Sequence, residues 1–259
     1  MSVYLEGGCF VSHMLETEPV VTGTLSQRNV IGSQNGTREI SLRVLEFRKG
    51  RSPGLRAEAD TVIYTLDAKE NLTCTVFIDG SASDITPQTG IYVRPGQTLS
   101  VLNKEEQPVV MISSQCPQSA PSSIVEPVAE QSDPSVSMQK FPSIKLTDRE
   151  AIPTADRWYR VLVDDELGST QVTQFVGSIP PGRAPDHFHN YEEVLFILRG
   201  EGQMWAGETK TPISPGYCIY LPKRQVHCVE NTGDGELRLL GVFYPAGSPA
   251  VRYEAKDEG

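Results

Sequence analysis

The residues with the clearest chemistry lie in the C-terminal half, which holds three of the chain's four histidines. The segment GRAPDHFHNYEEVLFILRG contains the pattern H-x-H-x3-E-x6-G, formed by His187, His189, Glu193 and Gly200. The later segment GYCIYLPKRQVHCVEN adds His227. Imidazole nitrogens and carboxylate oxygens are common ligands of divalent transition metals, so these residue types predict metal chemistry.

The spacing of these side chains requires several β-strands. His187 and His189 are two residues apart, so both side chains leave the same face of a strand. On a straight strand Glu193 would lie about 13 Å beyond His189, at roughly 3.3 Å per residue, which is too far for ligands that bind one ion at about 2 Å. The chain must therefore turn at residues 190–192, and His227 must arrive from a third strand. The interior of a β-barrel is where three strands can direct side chains at one point.

Glu192 is the sequence neighbour of Glu193 and carries the same functional group. Adjacent residues of a strand point to opposite faces, so we expect Glu192 to point out of the barrel. The fourth histidine, His13, has no partner motif, and we expect it to play no part in the site.

The complete pattern resembles the two motifs of the cupin superfamily. The second motif is represented by Gly216, Pro222, His227 and Asn231, in the order G-x5-P-x4-H-x3-N. The resemblance implies that one divalent ion is coordinated by His187, His189, Glu193 and His227. The chain departs from the family pattern in two turns: Arg224 stands where a glycine is usual, and Gly182 lies one residue closer than usual to the first histidine.

Turn signals recur at short intervals along the C-terminal half. They include GEG at residues 200–202, PG at 215–216 and NTGDG at 231–235. Between them lie β-branched and aromatic runs such as EVLFIL, YCIYL and LRLLGVFY. Strands punctuated this often predict an all-β fold, and the resemblance implies a jelly-roll barrel. A capping box at Thr147 and Glu150 predicts one short helix.

The N-terminal half repeats this pattern faintly, which indicates an internal duplication of one β-domain. DTVIYTLDAKENLTCTVFIDG resembles EEVLFILRGEGQMWAGETK, and TGIYVRPGQTLSVLN resembles PGYCIYLPKRQVHCVEN. Aligning the first motifs, and Pro95 with Pro222, identifies the counterparts of the four ligands. They are Leu55, Ala57, Thr61 and Ser100, which do not form a replacement ligand set. This half therefore resembles a degenerate cupin barrel that serves dimerisation, closure of the active barrel or fold stability.

These observations predict two jelly-roll barrels in tandem. The expected divisions are an N-terminal arm at 1–37, a degenerate barrel without metal ligands at 38–115, a Pro/Ser-rich linker at 116–145 and a metal-binding barrel at 146–259. The arm aligns with neither barrel, and we expect it to add a strand to the other domain or to a partner subunit. Together with the family resemblance, a covered sheet edge predicts a homodimer.

Composition excludes several partner classes and favours one compartment. The net charge is −10, and such an acidic surface repels the phosphates of nucleic acids and of anionic membranes. The five cysteines are odd in number and form no CxxC pair, so neither a disulfide framework nor a zinc ribbon is predicted. The first residues lack the basic and apolar regions of a signal peptide, and we expect a cytoplasmic protein.

Three imidazoles and one carboxylate suit Fe(II), Mn(II), Ni(II), Co(II) or Zn(II). Four protein ligands fill a tetrahedral zinc ion, whereas an octahedral ion keeps two open positions, so catalysis favours Fe(II) or Mn(II). The resemblance implies an enzyme of small organic molecules, with a dioxygenase as the leading hypothesis and Glu193 as a proton acceptor. Strands near the motifs supply four candidate pocket residues, namely Gln174, Gln203, Trp205 and Tyr220.

Other functions stay open at this point. Cupins include metal-dependent isomerases, lyases, decarboxylases and hydrolases. A bicupin of this length also resembles ureidoglycine aminohydrolase, although that family does not carry the regular H-x-H-x3-E arrangement. A barrel can also bind a small ligand without converting it, but no helix-turn-helix segment that would indicate a regulator is visible. A storage role, as in plant seed bicupins, is disfavoured because those proteins generally lack the metal residues.

Overall fold

The structure is a computed structural model that describes residues 2–66, 72–131 and 140–250. Its short 3-10 helices in these ranges are Glu6–Gly8, Ser33–Asn35, Leu146–Asp148 and Asp165–Leu167. No helix in the described ranges has the length and apolar character needed to span a membrane.

Most regular structure is β. The strands before the second barrel are β1 (Val3–Tyr4), β2 (Phe10–His13), β3 (Val20–Thr22), β4 (Leu25–Ile31), β5 (Leu42–Phe47), β6 (Gly50–Arg51), β7 (Gly54–Ala57), β8 (Asp60–Thr65), β9 (Cys74–Ile78), β10 (Ser81–Ile85), β11 (Thr89–Val93), β12 (Thr98–Asn103), β13 (Val109–Cys116), β14 (Ser122–Val125) and β15 (Ser143–Lys145). The remaining strands are β16 (Ile152–Thr154), β17 (Arg157–Val163), β18 (Thr173–Ile179), β19 (Gly182–Arg183), β20 (Glu192–Arg199), β21 (Gly202–Ala206), β22 (Thr209–Ile213), β23 (Tyr217–Leu221), β24 (His227–Asn231) and β25 (Leu237–Tyr244).

The helix expected from the capping box at Thr147 and Glu150 is only the single 3-10 turn Leu146–Asp148. The reason is that β15 ends at Lys145 and β16 begins at Ile152, which leaves room for little more than one turn. Longer helices need several turns to offset the cost of nucleation.

Two jelly-roll barrels follow each other along the chain, as the internal repeat and the family resemblance together predict. In the N-terminal barrel, a sheet of order β15-β11-β8-β13-β5-β4-β3 faces a sheet of order β10-β9-β12-β7-β14, with β6 beside β12. In the C-terminal barrel, a sheet of order β1-β2-β23-β20-β25-β18-β17-β16 faces the smaller sheet β19-β24-β21-β22.

The two larger sheets pack against each other, so each of them is buried on both faces. In β20, Leu195 and Ile197 belong to the core inside the C-terminal barrel, while Val194 and Phe196 belong to the apolar cluster between the barrels. Strand β8 of the N-terminal barrel packs on the other side of that cluster. Its residues alternate between the cluster and the core inside the N-terminal barrel. Burial of both faces explains why these strands read as nearly continuous apolar runs.

Strands from the predicted N-terminal arm join the sheets of both barrels. Strand β2 pairs with β23, with Phe10 opposite Tyr220 and Val11 opposite Ile219, and so covers an edge of the C-terminal sheet. Strand β4 pairs instead with β5, so the N-terminal sheet includes residues upstream of position 38. Pairing protects strand edges that would otherwise expose free backbone groups.

Both ends of the predicted linker also contribute strands. Ser123 in β14 pairs with Arg56 in β7, and Ile144 in β15 pairs with Gly90 in β11. Proline and serine are compatible with edge strands, which need only one hydrogen-bonded neighbour, and both strands lie at sheet edges. Residues 132–139, also within the predicted linker, lie outside the described residues.

Candidate metal centre

Three histidines gather at one end of the C-terminal barrel. The ligating atoms of His187, His189 and His227 all lie within 4.8 Å of one another. His187 and His227 are held together by their backbones: the His187 N–H donates to the His227 carbonyl at 3.1 Å, and the His227 N–H donates back at 2.8 Å. These bonds join the segment before β20 to the first residue of β24.

Glu193 brings its carboxylate to the same point. The chain bends at residues 190–191 and β20 begins at Glu192, so Glu193 lies near the start of the return strand, as the spacing requires. Its Oε2 lies 3.7 Å from His189 Nε2 and 3.9 Å from His227 Nε2. Two ligands of one ion at about 2.1 Å lie roughly 3 to 4 Å apart, so these separations fit a shared cation.

The tautomers of two histidines suit metal binding. His187 Nδ1 lies 3.0 Å from the Pro185 carbonyl oxygen, and His227 Nδ1 lies 2.8 Å from the Gln225 carbonyl oxygen. A carbonyl oxygen only accepts hydrogen bonds, so each Nδ1 carries the proton and each Nε2 presents its lone pair. Carbonyl partners of this kind orient the ligating imidazoles of metal proteins.

The charge balance of the cluster also fits a cation. Burial raises the pKa of the Glu193 carboxyl to about 8. Burial lowers the pKa of His227 well below its usual value, and the neighbouring His187 lowers it further. A divalent ion would compensate a buried carboxylate and bind neutral imidazoles, so the residues present fit such an ion.

Arg224 shows how the chain accommodates the missing motif glycine. Its φ is +64°, in the left-handed region that favours glycine, so the turn keeps the glycine conformation. The Arg224 N–H donates to the His189 carbonyl oxygen at 2.7 Å, and the turn thereby fixes the backbone of a candidate ligand. At Gly200 (φ +83°) glycine itself is required, because an added Cβ would lie 2.8 Å from the Glu236 carbonyl oxygen.

A cavity of about 100 Å³ opens over the side chains of the four candidate ligands. Its wall is mostly apolar and includes Phe175, Ile179, Leu195, Val229, Leu239 and Phe243. Polar groups at the same cavity come from Thr154, Arg157, Tyr159 and Ser178. The cavity therefore places the cluster of candidate metal ligands next to a largely apolar compartment.

Aromatic rings connect the ligands to this wall. The Tyr191 ring stacks on His189, with ring centroids 4.9 Å apart, and lies 4.5 Å from the Phe243 ring. Phe243 contacts Phe175 at 5.5 Å, and its backbone is paired with Glu193. The sequence reasoning missed these phenylalanines, although counting alternate positions from Glu193 across β25 and β18 identifies both as inward-facing.

The structure places Gln174 and Tyr220 between the barrels, which corrects their assignment to the pocket. An added Cβ at Gly90 of the N-terminal barrel would lie 2.8 Å from Gln174 Oε1, and Tyr220 belongs to the cluster between the barrels. Strands β18 and β23 are buried on both faces, so the apolar pattern did not distinguish their two sides.

Gln203 and Trp205 likewise lie outside the cavity, on the outer face of β21. This strand alternates strictly, with Gly202, Met204 and Ala206 buried and the two candidates partly exposed. Trp205 Nε1 donates to Glu230 Oε2 at 2.8 Å, away from the metal ligands. The small inward residues Gly202 and Ala206, alternating with Gln203 and Trp205, were the signal that could have assigned this strand correctly.

Glu192 points away from the interior of its barrel, as expected, but it is buried at 3% exposure. Its Oε1 accepts the Arg38 N–H at 3.2 Å, and its Oε2 accepts the Glu39 N–H at 2.9 Å. The outward face of the larger sheet is the contact between the barrels, so facing outward here does not mean facing solvent.

In the N-terminal barrel, Leu55, Ala57 and Thr61 line a cavity at the positions that correspond to the first three ligands. Leu55 pairs with Leu99, as His187 pairs with His227. The counterpart of His227 is therefore Leu99, which lines the cavity, and the sequence alignment with Ser100 was displaced by one residue. The turn after Pro95 is one residue shorter than the turn after Pro222.

Residues 175–243 match the family model described as a cupin domain. Auxin-binding protein 1 of Arabidopsis thaliana is 31% identical over 86 residues, covering 29% of this chain and 43% of that protein. An oxalate-binding protein of Thermotoga maritima is 34% identical over 67 residues, covering 25% of this chain and 55% of that protein. The matches thus span about half, or less, of these curated relatives.

A solved structure of oxalate decarboxylase from Bacillus subtilis superposes on both halves of the chain. The TM-score is 0.71 at 14% sequence identity, and the match covers 91% of this chain and 76% of the other. At this identity the likeness shows the fold alone, which is a tandem pair of jelly-roll barrels.

Proposed function

Because the chain belongs to the cupin superfamily and has a bicupin architecture, we propose that it is a metal-dependent enzyme of small organic molecules. The proposed ligands of one divalent ion are His187, His189, Glu193 and His227. The observation that carries the proposal is the convergence of these four side chains beside a cavity with a mostly apolar wall.

The ligand set favours an octahedral ion, Fe(II) or Mn(II), over zinc. Four protein ligands complete a tetrahedral zinc ion, whereas an octahedral ion retains two positions for exchangeable molecules. When bound, such an ion supplies Lewis acidity toward substrate oxygens and the means to activate O2.

The cavity wall supports a dioxygenase as the first candidate. Phe175, Leu239 and Phe243 suit an apolar substrate body, while the metal-binding end suits adjacent oxygens, as in a phenol or a dicarbonyl compound. Glu193 is proposed as the proton acceptor, because its carboxylate lies at the cavity and can take up a substrate proton when its bond to the metal loosens.

A lyase that decarboxylates a small carboxylate is the second candidate. The observation that favours it is Arg157, which lines the cavity and whose side chain is only 14% exposed. Its Nε donates to the exposed Asp156 carboxylate at 3.0 Å, so a substrate carboxylate would pair with the Nη groups. Arginine is well suited to pair with a carboxylate. The names of two similar proteins, an oxalate-binding protein and an oxalate decarboxylase, agree with such a substrate. We rank it second because the apolar wall offers few partners for a dianion.

The test is a substrate panel with the metal-reconstituted full chain. Protein loaded with Fe(II) or Mn(II) is given phenols, dicarbonyls and small carboxylates, while O2 uptake and CO2 release are recorded. We expect O2 uptake with a phenolic or dicarbonyl substrate, lost in His189→Ala and retained in His13→Ala. CO2 release without O2 uptake would select the second candidate. Binding of a compound without any product would contradict both enzymatic proposals.

A further inference from the structure

The N-terminal barrel contains a cavity of its own that the proposed function does not use. Its volume is about 130 Å³, and it lies at the end of the barrel that corresponds to the metal site. The four positions equivalent to metal ligands, Leu55, Ala57, Thr61 and Leu99, all line it. This cavity is therefore lined by no equivalent set of metal ligands, although it has a volume similar to that of the cavity in the C-terminal barrel.

Two polar residues stand at positions of the N-terminal barrel that are aromatic in the C-terminal barrel. Backbone pairing aligns Arg43 with Ser113 in the N-terminal barrel, as it aligns Phe175 with Gly241 in the C-terminal barrel. In the same way Gln115 pairs with Thr61, as Phe243 pairs with Glu193. Positions occupied by the two phenylalanines in one barrel thus carry arginine and glutamine in the other.

Arg43 is a positive charge for which the part of the chain that the structure describes supplies no counter-ion. Among the described residues no carboxylate forms an ion pair with it, and its Nη2 donates to Gln115 Oε1 at 3.2 Å. Burial lowers the pKa of Arg43, and no acidic neighbour acts in the opposite direction. A partly desolvated cation without a compensating charge is costly, and a bound anion would remove this cost.

Gln115 holds the guanidinium in place. Its Nε2 donates to the carbonyl oxygen of Ala120 at 2.8 Å, and it lies within 3.4 Å of those of Pro117 and Gln118. The amide nitrogen is therefore committed to backbone acceptors, and the amide oxygen must face Arg43. An arginine that is oriented before binding loses less entropy when it pairs with an anion.

The remaining wall sets the size and class of the ligand. A volume near 130 Å³ is well below the roughly 300 Å³ at which pockets for drug-sized ligands begin, so the cavity suits a small ligand such as a two- to four-carbon acid. Thr61 and Ser113 bring hydroxyl groups, while Leu45 and Leu99 bring apolar surface. The exposed residue Ser123 lies at the cavity, so a ligand can enter from solvent there.

We propose that the N-terminal barrel is a binding site for a small organic carboxylate, with Arg43 pairing with the carboxylate group. The hydroxyls of Thr61 and Ser113 supply further hydrogen bonds, and no metal takes part. This site is separate from the metal centre of the C-terminal barrel and does not depend on the reaction proposed there.

The experiment measures binding of propionate, pyruvate and malonate to the full chain by calorimetry, with and without bound metal. We expect at least one of these acids to bind in both states. Arg43→Met should weaken that binding by about 10- to 100-fold, the range for loss of a charge-assisted hydrogen bond. Arg48→Met is the matched control, because it removes the same charge from an exposed position.

Two further variants make the result decisive. His227→Ala disables the proposed metal site and should leave the carboxylate affinity unchanged. If Arg43→Met does not fold, Arg43→Gln replaces it with the same expected loss. The proposal is overturned if none of the three acids binds, if the arginine variants bind them as the parent chain does, or if binding disappears in His227→Ala.

Discussion

Glu192 accepts the backbone N–H of Glu39 at 2.9 Å, across the contact between the two barrels. The neighbouring residue of Glu192 along β20 is Glu193, the proposed metal ligand. The N-terminal barrel thus contacts the strand that carries this ligand, one residue away from it. Backbone donors hold this buried carboxylate in place, and through it the start of β20.

We predict that Glu192→Gln lowers the free energy of unfolding by about 1 to 3 kcal/mol, because a charge-assisted acceptor becomes a neutral one. The variant should also bind the metal more weakly, since Glu193 then starts from a less fixed strand. Urea unfolding and metal titration measure the two effects. The control Glu201→Gln changes an exposed carboxylate and should leave both values unchanged. If the two variants had the same free energy of unfolding and the same metal affinity, a positioning role for Glu192 would be excluded.

The raised pKa of Glu193 predicts how the metal-free protein responds to pH. The carboxyl titrates near 4.5 when unfolded and near 8 when folded, so between these values the folded chain holds a proton that the unfolded chain has released. His227, whose pKa is lowered on folding, contributes the opposite slope below its unfolded value of 6.5. The free energy of unfolding should therefore fall as the pH rises from 6.5 to 8, where the Glu193 contribution is not cancelled. Chemical unfolding of the metal-free chain at several pH values measures the slope, and Glu193→Gln should flatten it.

The same proton competes with the metal. Below pH 8 the ion must displace it, so we predict that the apparent metal affinity rises about tenfold per pH unit and levels off above pH 8. Competition with a chelator of known pH dependence gives the affinity. An affinity that stays constant from pH 6 to pH 8 would show that Glu193 does not bind the ion.

Arg224 predicts a stabilising substitution. Its left-handed backbone is strained for any residue with a Cβ, so Arg224→Gly should raise the free energy of unfolding by up to about 1 kcal/mol. Lys223→Gly, at the neighbouring position without a positive φ, should instead lower it by a similar amount. Denaturant unfolding of the metal-loaded variants tests the pair, and a loss of stability in Arg224→Gly would contradict the strain argument.

The buried side chain of Gln174 predicts a second stabilising substitution. Neither amide atom of this buried side chain has a hydrogen-bond partner among the described residues. Gln174→Leu should therefore raise the free energy of unfolding by about 1 to 2 kcal/mol, because it removes a buried polar group of similar volume. Gln203→Leu, on the outer face of β21, should change it little. A destabilised Gln174→Leu would indicate that the amide has a binding role between the barrels.

The sequence predicted the all-β fold class because it depends on local spacing, and the resemblance to cupins implied which four side chains converge. Two histidines on one strand face, a turn before Glu193 and a later strand for His227 leave few geometric solutions. The barrel architecture followed from closely spaced turns, with the family resemblance as support.

The pocket residues could not be predicted because the inward face of a strand depends on its partners. Gln174 and Phe175 are both buried, and only the pairing of β18 with β25 shows which one faces the cavity. Ser100 was aligned one residue away from Leu99 because one turn differs in length. Pairing across sheets is a long-range property that no local pattern specifies. The homodimer and the cytoplasmic location stay predictions from the sequence.

Metal analysis of the purified chain tests the central claim most directly. After reconstitution with Fe(II) or Mn(II) and removal of free ions, elemental analysis should find one ion per chain in the parent protein and in His13→Ala, and less than a tenth of that in His227→Ala. Equal metal content in His227→Ala and the parent chain, or no retained metal in either, would contradict the proposed centre.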